Sequence, residues 1–230
     1  MDQILSYELA ESLARDNVTE FKSQADKFRE LMMMYTCAIK EVRTKIEVLS
    51  EEFQVKSQRN PIGTIKSRIK RPMSIFEKAQ RKGYALTFES IRENMNDIAG
   101  IRVICPFIED IYAVAEMLTN QDDIRMIQIK DYIQHPKDNG YRSLHIVVEV
   151  PIFLSDRKEY MKVEVQIRTI AMDFWASLEH QIHYKKTKGK DDLNIVKELK
   201  ECADTIYQTD VKMENIRNRL DYVEDYNHVI

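Results

Sequence analysis

The sequence predicts an α+β fold, a mixed sheet of about five strands flanked by long N- and C-terminal helices. Three observations carry that expectation. No Gly or Pro interrupts the chain between Asp2 and Asn60, an apolar, largely β-branched run fills Ile98–Cys105, and Met161–Arg168 alternates between apolar and polar side chains. Helical periodicity at the ends and a period of two in the middle describe helices enclosing a sheet. At 230 residues, 43% hydrophobic and 32% charged, the chain can bury one sizeable core.

Each element has its own signal. Phe21, Phe28, Leu31, Tyr35, Ile39, Val42, Ile46 and Leu49 recur at helical spacing, and Asn60-Pro61 with Gly63 ends that helix. Pro72 and Ser74 open a short helix that closes near Gly83, with Ser74 as N-cap and Glu77 completing a capping box. Ile98–Cys105 reads as a central strand covered on both faces, followed after Pro106 by a helix over Glu109–Leu118. Arg125–Ile133 is a strand, and Ser143–Ile152 and Lys158–Thr169 form an antiparallel hairpin joined around Pro151–Arg157. Ile170–Lys185 is helical. Gly189 separates it from a closing helix carrying Leu193, Val196, Leu199, Ile206, Met213, Ile216, Leu220 and Val223. The expected organisation is one domain: helices over 1–58, a core over 59–185, and a final helix over 186–230.

The net charge of −3 gives no global attraction to nucleic acid or membrane, but its distribution is uneven. Lys56 to Lys82 holds nine basic residues and one acid, Glu77, whereas Asp191–Ile230 has ten acids against five Lys or Arg. Cys37, Cys105 and Cys202 are isolated, which suits reduced thiols in the cytoplasm. No basic-then-apolar leader opens the chain and no apolar run reaches membrane-spanning length.

The chain has no glycine-rich phosphate cradle, so bound phosphates would have to be held by side-chain cations. Arg68, Lys70, Arg71, Lys78, Arg81 and Lys82 offer them, with Ser74, Lys78 and Lys82 on one helix face. A solvated basic surface is the ordinary alternative for such a run. Glu164 lies between Lys162 and Gln166 on the polar face of its strand. Asp97, at the entrance to the most apolar strand, is either an exposed cap or a Mg²⁺ ligand shared with Glu164. Arg102 amid Ile101, Val103 and Ile104 needs an anionic or stacking partner. Gly140 permits a positive φ before Tyr141, whose ring is placed to stack, with Lys130, Lys137, Arg142 and His145 around it. Glu179, His180 and His183 could hold zinc, though packing is the plainer use of such residues.

Taken together, Asp97-Ile-Ala-Gly-Ile-Arg102, Lys137-x-Asn-Gly-Tyr-x-Ser-Leu-His145, Val163-Glu-Val-Gln-Ile-Arg-Thr169 and Phe174-Trp-Ala-x-x-Glu-His180 resemble the synthetase domain of the RelA/SpoT family. The resemblance runs from about Arg68 to Lys185 and implies a nucleotidyltransferase-like fold. No His-Asp dipeptide occurs, so the family's metal-dependent hydrolase half is expected to be missing, as in a small stand-alone alarmone synthetase.

The resemblance implies a stringent-response enzyme that moves the β,γ-diphosphate of ATP to the ribose 3′-OH of GDP or GTP, releasing AMP. By motif, Glu164 is the general base or orienting carboxylate, and Asp97 holds Mg²⁺ with help from Glu164. Arg71 and Arg102 would sandwich adenine, with Arg68 and Ser74 also on the ATP side and Lys78, Arg81 and Lys82 on its phosphates. Tyr141 would stack guanine, and Lys130, Lys137, Asn139, His145 and Gln166 would line the GTP or GDP side. The family also implies a homotetramer, with no membrane and no requirement for nucleic acid. Two rival readings stay open: a single-stranded RNA-binding module, and a different nucleotidyltransferase that releases pyrophosphate.

Overall fold

The computed structural model describes the backbone of residues 2–57, 59–185 and 192–227, and the side chains of 25–57, 59–182 and 194–220. Gly189 and the side chains of Phe21, His183, Leu193 and Val223 lie outside the described residues. In chain order the elements are α1 (Asp2–Lys56), β1 (Thr64–Ile69), α2 (Pro72–Lys82), α3 (Phe88–Asn94), β2 (Ala99–Cys105), α4 (Ile108–Thr119), β3 (Arg125–Asp131), β4 (Leu144–Phe153), β5 (Lys158–Thr169), α5 (Ile170–Lys185) and α6 (Asp192–Asn227).

The five strands form one mixed sheet in the order β1-β2-β5-β4-β3. Only β2 and β5 run parallel; the other neighbours are antiparallel. The fifth strand is β1, inside the basic stretch. There Ile65 and Ile69 pack against the core while Lys66 and Arg68 face the other way, so cations occupy the positions where strand alternation is usually read.

One face of the sheet is covered. Tyr35, Ala38, Val42 and Ile46 of α1 and Ile111, Val114 and Leu118 of α4 are buried with Ile101, Val103, Ile146, Val148, Val163 and Val165. The opposite face carries the polar side chains of β1, β2, β4 and β5. Helix α2 starts at Pro72 with Arg71 as N-cap, so Ser74 lies inside the helix and caps nothing. Proline accounts for the shift: its fixed φ suits the first helical position, where its missing N–H is no loss. Strand β5 passes directly into α5, and the Thr169 hydroxyl accepts a hydrogen bond from the Met172 N–H at 3.1 Å.

Helix α6 closes over one end of the polar face. The Trp175 Nε1–H donates to the Leu199 carbonyl at 2.9 Å, Arg142 pairs with Asp204 at 3.1 Å, and Thr169 donates to Asp210. Gly140 sits under this helix with a φ of 88°, and a Cβ there would meet the Ala203 Cβ at 2.6 Å. Gly140→Ala is therefore expected to destabilise the protein by about 1–3 kcal/mol, combining positive-φ strain with a steric clash. Chemical denaturation checks this, and an unchanged midpoint would count against α6 docking at this turn.

Candidate active site

The polar face is built in rows across the sheet. Lys66 pairs in register with Arg102, Arg102 with Gln166, Gln166 with His145, and His145 with Lys130. Another row runs Arg68, Gly100, Glu164, Val147 and Gln128. Residues opposed in this way share a face and touch their neighbours. Gly100 leaves room between Arg68 and Glu164. A Cβ there would make only ordinary contacts with backbone oxygens at 3.6 and 4.0 Å, so the glycine keeps the floor open rather than relieving strain.

Two clefts meet at the carboxylates. The first, of about 410 Å³, is lined by Lys66, Arg68, Lys70, Arg102 and Gln166 together with Asp97 and Glu164. The second, of about 290 Å³, is lined by Lys78, Lys82, Tyr84, Lys130 and His145, again with Asp97 and Glu164. Both acids therefore stand in the wall that the clefts share, with cations on either side.

Asp97 is held by two lysines. Its Oδ2 accepts from Lys70 and, at 2.6 Å, from Lys78. Burial pushes the carboxyl pKa up, but these hydrogen bonds and charges outweigh it and hold it below the usual value. The other oxygen, Oδ1, is buried with no hydrogen-bond partner.

Glu164 belongs to a closed ring of hydrogen bonds. Its Oε1 lies 3.3 Å from His145 Nδ1, and its Oε2 accepts from Gln166 at 2.9 Å. His145 Nε2 lies 2.8 Å from the Tyr141 hydroxyl, which accepts from Arg168 at 2.8 Å. Arg168 also donates to Gln166 Oε1 at 2.9 Å, closing the circuit. Burial raises the Glu164 pKa and nearby Asp97 pushes the same way, but His145 and Gln166 outweigh them and bring it below normal. Glu164 is thus ionised at neutral pH and acceptor-only, which places the His145 proton on Nδ1 when the ring is neutral. Burial raises the Tyr141 pKa, keeping that phenol protonated and able to donate.

The Tyr141 ring stands edge-on to Tyr132 and His145, and the Lys137 ammonium lies 4.6 Å from the Tyr141 centroid and 4.7 Å from that of Tyr132. Asn139 shapes the turn: its Oδ1 accepts from the Tyr141 N–H and its amide donates to Glu179, both at 3.2 Å. Arg102 donates to Asp173 at 3.1 Å.

Of the residues named from sequence, Arg68, Lys78, Lys82, Asp97, Arg102, Lys130, His145, Glu164 and Gln166 line one cleft or both. Ser74 is half-buried one turn before Lys78, whereas Arg71 and Arg81 are exposed and line neither cleft. In the first cleft Arg102 is accompanied by Arg68 rather than Arg71. Among the described residues no group of three metal-binding side chains occurs; the Glu179, His180 and His183 combination includes His183, whose side chain lies outside them. Arg168, Asp173, Lys66 and Tyr132 were not expected at the site. The alternation of β5 places Arg168 on the polar face but does not name its partners.

Residues 67–189 match the model for the region found in RelA / SpoT proteins. The chain belongs to the RelA/SpoT family. Within it, GTP pyrophosphokinase YwaC of Bacillus subtilis (strain 168) is 43% identical over 209 residues, covering 91% of this chain and 99% of that relative. The crystal structure of small alarmone synthetase 2 from Bacillus subtilis superposes with a TM-score of 0.75 at 44% identity, covering 84% of this chain and 98% of that one. Small alarmone synthetase 1 from the same organism, solved with its product pppGpp, gives 0.77 at 33% identity, covering 84% and 97%. The family match begins in β1 and ends after α5, so it contains every residue that lines the two clefts except Lys66.

Proposed function

We propose that this RelA/SpoT-family chain is a (p)ppGpp synthetase acting as one domain, with residues 59–185 as its catalytic core. It transfers the β,γ-diphosphate of ATP to the 3′-OH of GDP or GTP and releases AMP. The observation that carries this reading is the position of Asp97 and Glu164 in the wall between two cation-lined clefts. A two-substrate phosphoryl-type transfer needs that layout: an anion site on each side and carboxylates where the nucleophile meets phosphorus.

On this reading Arg68 and Arg102 take the adenine side, with Lys78 and Lys82 reaching the phosphates from α2. Tyr141, hydrogen-bonded to His145, offers its face to guanine while Lys130 and His145 bound the acceptor pocket and Gln166 reaches Glu164 from the first cleft. A carboxylate with a lowered pKa is a weak base, so Glu164 chiefly orients the ribose hydroxyl and accepts its proton as the bond to phosphorus forms. The donor set also fits Mg²⁺, which is usually held by one or two carboxylates plus substrate phosphates and water. The unpartnered Asp97 Oδ1 and the neighbouring Glu164 carboxylate would hold it. Bound there, it would neutralise phosphate charge.

Incubation with Mg²⁺, γ-labelled ATP and either GDP or GTP tests the reading. Labelled guanosine tetra- or pentaphosphate with AMP is the expected result. Free labelled pyrophosphate would make the chain a different transferase, and RNA binding without turnover would make it a binding module.

Tyr141→Ala should raise KM for the guanine nucleotide roughly tenfold, since stacking a base is worth about 1–3 kcal/mol, with KM for ATP nearly unchanged. Equal loss for both substrates would argue against guanine stacking.

A cytoplasmic location accords with the free thiols Cys37, Cys105 and Cys202. A homotetramer accords with the apolar stripe Ile170, Phe174, Leu178 and Ile182 exposed on α5. Light scattering in solution measures the subunit number directly.

A further inference from the structure

Asp173 makes contacts that the transfer chemistry does not by itself call for. It sits in the first turn of α5, its side chain only 13% exposed. Its Oδ1 accepts from Arg102 at 3.1 Å and from Arg168 at 3.4 Å, and Lys66 lies 3.5 Å from its Oδ2. One carboxylate thus gathers cations from β1, β2 and β5.

These cations differ in what else they reach. Arg102 and Lys66 line the first cleft. Arg168 is buried, lines neither cleft, and spends its other terminal nitrogen on the Tyr141 hydroxyl and Gln166. A guanidinium is a rigid planar fork, so fixing one nitrogen fixes the direction of the others. Moving Asp173 would therefore turn Arg102 on one side and Arg168, with Tyr141, on the other.

We propose that Asp173 is a positioning residue that sets Arg102 for the adenine nucleotide and, through Arg168, sets Tyr141 for the guanine nucleotide, so that one buried ion cluster aligns both substrates. The inference rests on the functional reading above for which nucleotide occupies which cleft. Asp173 lines neither cleft and acts through Arg102, Arg168 and Lys66. Burial and the Arg102 charge both lower the Arg168 pKa, so this arginine depends on the anions around it, Asp173 included.

The test is a steady-state matrix of ATP against GDP for wild type, Asp173→Asn, Asp173→Glu, Arg102→Ala and the double variant Arg102→Ala/Asp173→Asn. Asp173→Asn is expected to raise KM for both nucleotides at least about fivefold, the lower end of typical site–site coupling. In the Arg102→Ala background it should add less to KM for ATP than in wild type, since only the Lys66 contact is left to lose on that side, yet raise KM for GDP as fully, because the Arg168 branch is intact. Asp173→Glu keeps the charge but displaces it, and should recover part of both effects.

A purely structural role predicts a lower folded fraction with both KM values unchanged. That result, or full additivity with Arg102→Ala in KM for ATP, would overturn the proposal. Should Asp173→Asn fail to fold, Asp173→Glu decides alone: altered KM values in a folded protein support positioning, and wild-type values refute it. Titration with a non-hydrolysable ATP analogue separates the two levels of inference. Weakened binding in Asp173→Asn upholds the Arg102 branch even if no guanosine polyphosphate is made. Absence of that product from wild type would refute the functional reading instead.

Discussion

Glu164→Gln should remain folded and lose AMP formation from ATP plus GDP by at least about a hundredfold, the lower bound typical of positioned acid–base groups. The substitution is nearly isosteric. The amide oxygen can still accept from His145 Nδ1, and only the contact with the Gln166 amide is put at risk, at about 1 kcal/mol. What disappears is the negative charge at the wall between the clefts. A thermal melt close to wild type beside a rate fallen by two orders of magnitude or more is the expected pair of measurements. Near-wild-type turnover in a folded variant would remove Glu164 from the chemistry.

Asp97→Asn should have an equally large effect on rate and a second, separable effect on stability. The side chain that keeps Lys70 and Lys78 together would no longer be charged, leaving two partly buried ammonium groups side by side. A loss of about 1.5–3 kcal/mol at neutral pH is expected, the usual range for hydrogen bonds to charged groups. The pH dependence follows from the lowered pKa of Asp97. A carboxylate whose folded pKa lies below its unfolded value of about 3.9 stabilises the fold above that value. It loses that contribution as pH falls through the folded pKa. Wild type should therefore lose more stability than Asp97→Asn below about pH 4. Parallel acid-side profiles would show that the lysine pairs contribute nothing to folding.

Local periodicity is what makes part of this fold legible in the sequence. Lys158–Thr169 and its hairpin partner were visible because a buried face imposes a period of two, and α1 because its apolar residues repeat at helical spacing. Strand β1 escaped notice because the cations of the site occupy its alternate positions, which makes a strand look like a charge run. Helix α3 spans only seven residues, too few to display a period. Glu164 could be singled out as an acid among cations, and Asp97 as a carboxylate at the entrance to the most apolar strand. Their placement between two clefts could not, because it depends on β5 lying next to β2, far away in sequence. Arg168 and Asp173 were harder still. Each looks like an ordinary surface charge until the β5–α5 junction brings them under Arg102 and Tyr141.

If Tyr141 stacks guanine as proposed, the ammonium of Lys137, which lies against the rings of both Tyr132 and Tyr141, gives that side a means of discrimination. A base that stacks on Tyr141 must first displace that cation, at roughly 0.5–1 kcal/mol for an exposed cation–π contact. Guanosine alone brings no partner for the evicted lysine. A guanosine diphosphate or triphosphate does, because its own phosphates can receive the charge. On the proposed reading the slot would therefore screen for the nucleotide over the nucleoside at the moment of entry.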